Sequence, residues 1–330
     1  MSYRKRTKRS ALDQALNFYW GVWSELGVSG WGRTHTNWGI DPEPLIIYTA
    51  ALGDADPRLR DEATDWCVHY SPYVSRVRLR NLLRDQTVEF LEHWGEFAAT
   101  VNARAGVNWP RAQAERSGFR VTGRSALRSL SEPSLVSLRF RALFGIAART
   151  EILRYLLFHT GRQATVAVIA DATAYTKRIV ADECEGLERA GALSMRVVGN
   201  RFYYSLARSS ALEKFVGDLP AIFPDWCALL HLVKVLIELE EASEELPHDL
   251  LVIEGRRALR RIENDLEALD IEGPANLQGP AFVSEMLDWT RAIFGELAKG
   301  KWPGGHGRSE QVVRPRPIRN RRAVTAPREA

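Results

Sequence analysis

The sequence predicts a mainly α-helical protein with one small β-ribbon set between helical N- and C-terminal domains. Three observations predict it. Apolar residues recur at three- and four-residue spacing through most of residues 41–105 and 209–300. Helix-start signals such as Asp41-Pro42, Asp56-Pro57, Ser75 and Asp225 stand at the heads of those stretches. Apolar alternation of the strand kind stands out at residues 195–206, around a Gly199-Asn200 pair suited to positive φ in a hairpin turn.

Residues 165–206 read as three consecutive pieces. Thr165 is placed to cap a short helix whose Val166, Ile169 and Ala170 share a face. Residues 171–175 break that pattern. Thr176 caps a second helix, in which Val180, Cys184 and Leu187 form one apolar stripe. Ala190-Gly191 ends it, because glycine takes the left-handed conformation of many helix C-termini. Met195, Val197, Phe202, Tyr204 and Leu206 then alternate as a ribbon. Upstream, LFGIAARTEILRYLLFHTG at 143–161 supplies a further helix.

The segments TVAVIADAT, TKRIVADECEGLERAGAL and RVVGNRFYYSL together resemble the winged helix-turn-helix of ArsR- and MarR-like bacterial regulators. The resemblance covers residues 139–208, under a quarter of the chain. It implies a winged helix-turn-helix with a small β-wing, and a cytoplasmic DNA-binding transcription regulator, a repressor, acting on double-stranded DNA as a homodimer. In such a domain the N-terminal end of the second helix enters the major groove. Here that end carries Tyr175, Thr176, Lys177 and Arg178. Arg178 is suited to fork onto a guanine edge, and Lys177 and Thr176 to hold phosphate. Arg196, Asn200 and Arg201 sit at the wing turn, and Thr165 opens the first helix of the pair. The competing reading makes these side chains ordinary solvated surface. Asp182 and Glu183, a turn further on, oppose phosphate if they face it. Some ArsR-like regulators hold metals through cysteine on the second helix. Cys184 stands alone on the apolar face and is expected to fill the core, so no metal site or cofactor is assigned.

The remainder frames this unit. Its 330 residues suit two or three domains. A net charge of +4 is too small to prove a nucleic-acid partner by itself. Three scattered cysteines, with no CxxC, argue against a disulfide framework or zinc finger. No signal sequence or membrane span is expected. Residues 1–10, MSYRKRTKRS, form a basic arm. Residues 11–110 form a helical, tryptophan-rich domain, in which Phe18, Tyr19, Trp20, Trp23, Trp31 and Trp38 are expected mostly as core. An aromatic loop with His35 and Asn37, lining a ligand site, is the alternative. Within it, residues 41–84 form a trihelical unit ending in SRVRLRNLLR. Its Arg76, Arg78, Arg80 and Arg84 make it either a second helix-turn-helix-like candidate or a bundle with a solvated arginine face.

Residues 111–133 read as a linker between domains, and 134–208 as the winged unit. Residues 209–300 read as a helical dimerisation or effector region for an unidentified small molecule. The helix after Asp225 is apolar on more than one face, which requires a bundle or an oligomer interface around it. Residues 301–330 are expected to be a disordered basic tail.

No GxSxG, GxxxxGK[ST], HExxH or strand-borne GxGxxG occurs, and the seven histidines are scattered, so catalysis is not expected. The alternative to DNA binding is a protein-interaction scaffold, or a defence or toxin-system partner, that docks protein through the winged unit.

Overall fold

The computed structural model describes residues 2–30, 35, 37–53 and 55–304, with side chains from residue 11 onward. The side chains of the basic arm, Trp31, and the basic tail from residue 305 lie outside the described residues. The fold is mainly helical with one small antiparallel sheet. In order it comprises α1 (Ser2–Glu25), α2 (Pro42–Ala51), α3 (Pro57–Tyr70), α4 (Arg76–Leu82), α5 (Val88–Ala105), α6 (Val136–Phe144) and α7 (Ala148–Phe158). Then follow β1 (Ala164–Thr165), α8 (Val166–Thr173), α9 (Lys177–Arg189), β2 (Leu193–Val198) and β3 (Arg201–Leu206). The chain closes with α10 (Ser209–Val216), α11 (Trp226–Glu245), α12 (His248–Leu269) and α13 (Gly279–Ala298).

The capping residues act where the sequence places them. Asp56 Oδ1 accepts the Leu59 N–H at 2.9 Å, and Asp225 Oδ1 accepts that of Ala228 at 3.0 Å. Asp41 is the exception. It occupies the position before α2, yet its carboxylate makes no cap bond and turns to Arg78 instead.

Two hydrophobic cores result, and they cut across the expected domains. The larger contains α1, α2, α3 and α5 together with α11, α12 and α13. Helix α1 packs on α13 and α11, and α2 packs on α11. The N- and C-terminal regions expected as separate domains therefore share one core. The doubly apolar α11 is the reason: its Trp226, Leu229, Leu230, Leu232, Val233 and Leu236 are covered on all sides within this chain. The feature that suggested an oligomer interface is satisfied internally.

Trp23, Trp66, Trp94 and Trp226 fill this core, and each indole N–H finds an acceptor. The acceptors are Thr49 Oγ1 at 2.9 Å, then the carbonyls of Leu26 at 2.9 Å, Pro110 at 2.8 Å and Gly39 at 2.7 Å. His35 is buried too, its Nε2 3.0 Å from the Leu297 carbonyl. Burial lowers its pKa from the ordinary 6.5 to about 4. It is a core residue rather than part of a ligand-lining loop.

Residues 111–133 have little regular structure, but they are not a free linker. They form a strap across the larger unit. Trp109, just before them, stacks on Trp94 with centroids 5.9 Å apart. The N–H groups of Thr122 and Gly123 donate to Asp65 Oδ1, and Ala126 N–H donates to the Gly27 carbonyl. Gly27 has φ +97, and a Cβ there would lie 2.0 Å from the Ala126 oxygen, so this crossing requires glycine.

The smaller core belongs to residues 136–216: Phe140, Ile152, Leu156, Ile169, Val180, Cys184, Leu193 and Tyr204. Helix α6 serves both cores, giving Leu138 to the larger and Val136 and Phe140 to the smaller. Arg139 locks the junction by donating to the carbonyls of Leu130, Ser131, Glu132, Val216 and Asp218. The chain then returns to the larger unit, where Gly39 N–H donates to the Ile222 carbonyl at 2.8 Å. The smaller unit is thus an insertion between two halves of the larger one.

Candidate nucleic-acid interface

In the smaller unit α7, α8 and α9 pack on one another, and the sheet order is β1-β3-β2. The Thr165 hydroxyl oxygen accepts the Val168 N–H at 3.4 Å, and Thr176 accepts that of Ile179 at 3.4 Å. Between the two helices Ala174 takes a left-handed conformation, φ +56. Val180 and Cys184 turn inward from α9 and are fully buried. Burial first, and then the nearby Glu183, push the Cys184 thiol pKa up to about 12, which suits a core residue.

The opposite side of α9 is open. Thr176, Lys177 and Arg178 are exposed at its start. Asp182 is exposed one turn later. Glu183 lies 3.2 Å from Arg149 Nε, and Glu185 pairs with Arg189. The ribbon packs beside α9, with Arg196, Asn200 and Arg201 exposed. Pairing of Arg196 with Tyr203, and of Val198 with Arg201, puts both arginines on one face. In the turn only Gly199 has positive φ, at +57; Asn200 does not. The other face carries the pairs Leu193–Leu206, Met195–Tyr204 and Val197–Phe202. It is buried near α9 and bare at its tip, where Met195, Val197 and Phe202 are 43%, 55% and 52% exposed.

Of the expected contact residues, Tyr175 is turned away from the surface and Thr165 is partly covered. Tyr175 is buried, and its hydroxyl lies 3.1 Å from Ser75 Oγ. Apolar packing around its ring and this partner on α4 turn it inward. Thr165 is half-buried beside its strand partner Tyr203, and its hydroxyl oxygen serves the α8 cap. Thr176, Lys177, Arg178, Arg196, Asn200 and Arg201 remain on the surface.

Sequence reasoning missed how α4 holds this region. Arg78 Nε donates to the Thr173 carbonyl at 3.0 Å, and Asn81 Nδ2 to the Ala174 carbonyl at 2.9 Å. Helix α4 is thus tied to the smaller unit: its second arginine, Arg78, is a buried clasp on the α8–α9 turn. Arg78 also grips both Asp41 oxygens at 2.5 Å and contacts Glu43. Glu43 takes Arg141 in bidentate fashion at 2.7 and 2.8 Å. Glu151 accepts from Arg141 at 2.7 Å and from Arg154 at 2.8 Å.

Three arginines and three carboxylates, all buried, make a neutral network between the two units. Burial alone would raise the Asp41 and Glu151 pKa values. Arg78 beside Asp41, and Arg141 and Arg154 beside Glu151, outweigh burial and hold both below the usual carboxylate range. The available sequence signal was the helical position of Arg78, which shares a face with Ser75, Leu79 and Leu82.

Among the described residues, no helix is long and apolar enough to cross a membrane. No family profile, curated protein or solved structure significantly matches the chain.

Proposed function

We propose that residues 139–208 are a winged helix-turn-helix and that the protein is a transcription regulator binding double-stranded DNA. The observation that carries this reading is the exposure of Thr176, Lys177 and Arg178 at the start of α9, beside a ribbon with Arg196, Asn200 and Arg201 on its surface. Helix α9 is the reading helix. Arg178 addresses base edges, Lys177 and Thr176 the phosphates, and the ribbon arginines an adjacent groove or backbone. Paired copies of the chain would read a two-fold related site.

The test is a gel shift comparing the wild type with the Lys177→Ala/Arg178→Ala double variant on the best-bound duplex. Each lost base contact is expected to reduce specific affinity by about 1–3 kcal/mol. Unchanged sequence-specific binding in that variant would remove the reading helix from the account.

A second reading, protein docking through the same unit, is favoured by the ribbon tip. Met195, Val197 and Phe202 form an exposed apolar stripe, and phosphate does not require one. Salt separates the readings. Phosphate contacts give an affinity that falls log-linearly with salt, whereas apolar docking does not.

No effector site is assigned. A cavity of about 10 Å³ beside Arg60, Glu96 and Arg116 has room for one water.

A further inference from the structure

We propose that the exposed arginines Arg76 and Arg80 of α4, with Arg84 in the turn that follows it, are a second phosphate-contacting surface, gripping DNA that flanks the bases read from α9. This inference rests on the DNA-binding reading above.

The positions of α4 divide cleanly at about 100° per residue. Ser75 and Leu79 point into protein and are buried. Val77, Arg78 and Asn81 meet the smaller unit: Val77 packs on its core, and the other two bond the α8–α9 turn. Arg76 and Arg80 occupy the next face round, Arg84 follows in the turn after α4, and all three are exposed. Among the described residues none of them forms an ion pair with a carboxylate. The charge of Arg78 is cancelled in the buried network, so the exposed trio supplies the field of this helix.

That face is held at a fixed place relative to α9. Arg84 Nη2 donates to Asn81 Oδ1 at 2.9 Å, and Asn81 in turn bonds Ala174, two residues before the Thr176 cap. With the Ser75–Tyr175 and Arg78–Thr173 bonds, α4 and the start of α9 are joined by three side-chain links. Arg76 and Arg80 stand about 6 Å apart along the helix axis. Exposed guanidinium groups that, among the described residues, have no carboxylate partner complement a phosphate backbone. Asp85, next in the chain after Arg84, and Asp171 on α8 are the nearest acidic residues in sequence to this surface and the turn it borders.

The test measures binding of a mixed-sequence duplex of about 30 base pairs across a salt series. Such binding is governed by phosphate contacts and needs no knowledge of the operator. The proteins are the full-length wild type, Arg76→Ala/Arg80→Ala/Arg84→Ala, the matching triple lysine variant, and Lys177→Ala/Arg178→Ala.

The expected result is a log–log salt slope flatter by about 2.7 in the triple alanine variant, at about 0.9 per phosphate contact. The triple lysine variant keeps the wild-type slope. If triple alanine loses the native tryptophan emission, Arg80→Ala alone, flatter by about 0.9, carries the test. A wild-type slope in the alanine variants, with Lys177→Ala/Arg178→Ala flattened, overturns this proposal and leaves the DNA reading standing. Absence of salt-dependent binding by the wild type overturns both.

Discussion

Arg78 and Arg80 stand two positions apart on α4, and the roughly 200° between them separates a buried clasp from a solvent-facing charge. Arg78 answers Asp41, Glu43 and the Thr173 carbonyl together. Removing one partner of a buried, hydrogen-bonded charge set leaves the others uncompensated. Arg78→Met is therefore expected to destabilise the fold by about 3–5 kcal/mol, read as a lower urea midpoint. Exposed Arg80→Ala should leave that midpoint within about 0.5 kcal/mol of wild type. Equal effects from the two would contradict the placement. Tyr175 carries the same lesson. Chain position put it with Thr176 and Lys177 on the presumed contact surface, whereas packing and Ser75 turn it inward.

At the scale of elements, periodicity made most of the fold legible. The caps of α3, α4, α8, α9 and α11, the burial of Val180 and Cys184, and the 198–201 hairpin all follow from local sequence. Contacts between elements were illegible, because they depend on residues about 100 positions apart. Nothing local in Glu43 announces Arg141, and nothing local in Asn81 announces Ala174. Asp41 shows the limit from the other side: the cap signal named the right position and the wrong partner. Of the expected site, the exposed residues of α9 and the ribbon were readable from amphipathic pattern. Tyr175 was not, since its tertiary partner Ser75 decides its orientation.

These buried groups also set a pH dependence with a definite sign. The His35 pKa falls to about 4 in the fold, so below about 6.5 the unfolded chain binds a proton that the native state does not. Stability therefore declines from pH 6.5 toward 4. Asp41 and Glu151 are held below their ordinary values, so their contribution is present above the unfolded pKa of about 4. It is lost as pH falls further, toward their folded values. Urea midpoints should drop through both windows, and His35→Gln should flatten the upper one. A midpoint level from pH 7 to 3 would contradict these assignments.

At the scale of the whole molecule, composition suggested successive domains, and the chain instead leaves the larger unit at α6 and returns to it near Ile222. A break in composition along the chain does not mark a domain boundary here, because the smaller unit is inserted between two halves of the larger one. The strap at 111–133 has the composition of a linker and the contacts of a core-covering segment. The chain has 10 tryptophans, and none falls within residues 136–216. Tryptophan emission therefore carries no signal from the smaller unit, and the nine described tryptophans all lie outside it. A chain ending at residue 208 lacks α11, α12 and α13 and should show red-shifted, solvent-exposed emission. Native emission from that fragment would contradict the shared core.

The central claim, that the inserted unit reads DNA, is tested most directly by selection of bound duplexes from a random-sequence pool with the full-length protein. The account predicts recovery of a discrete sequence whose enrichment is lost with the Lys177→Ala/Arg178→Ala variant. Recovery of no enriched sequence, with binding that ignores salt, would contradict it. That result would leave the apolar tip formed by Met195, Val197 and Phe202 as the surface to pursue.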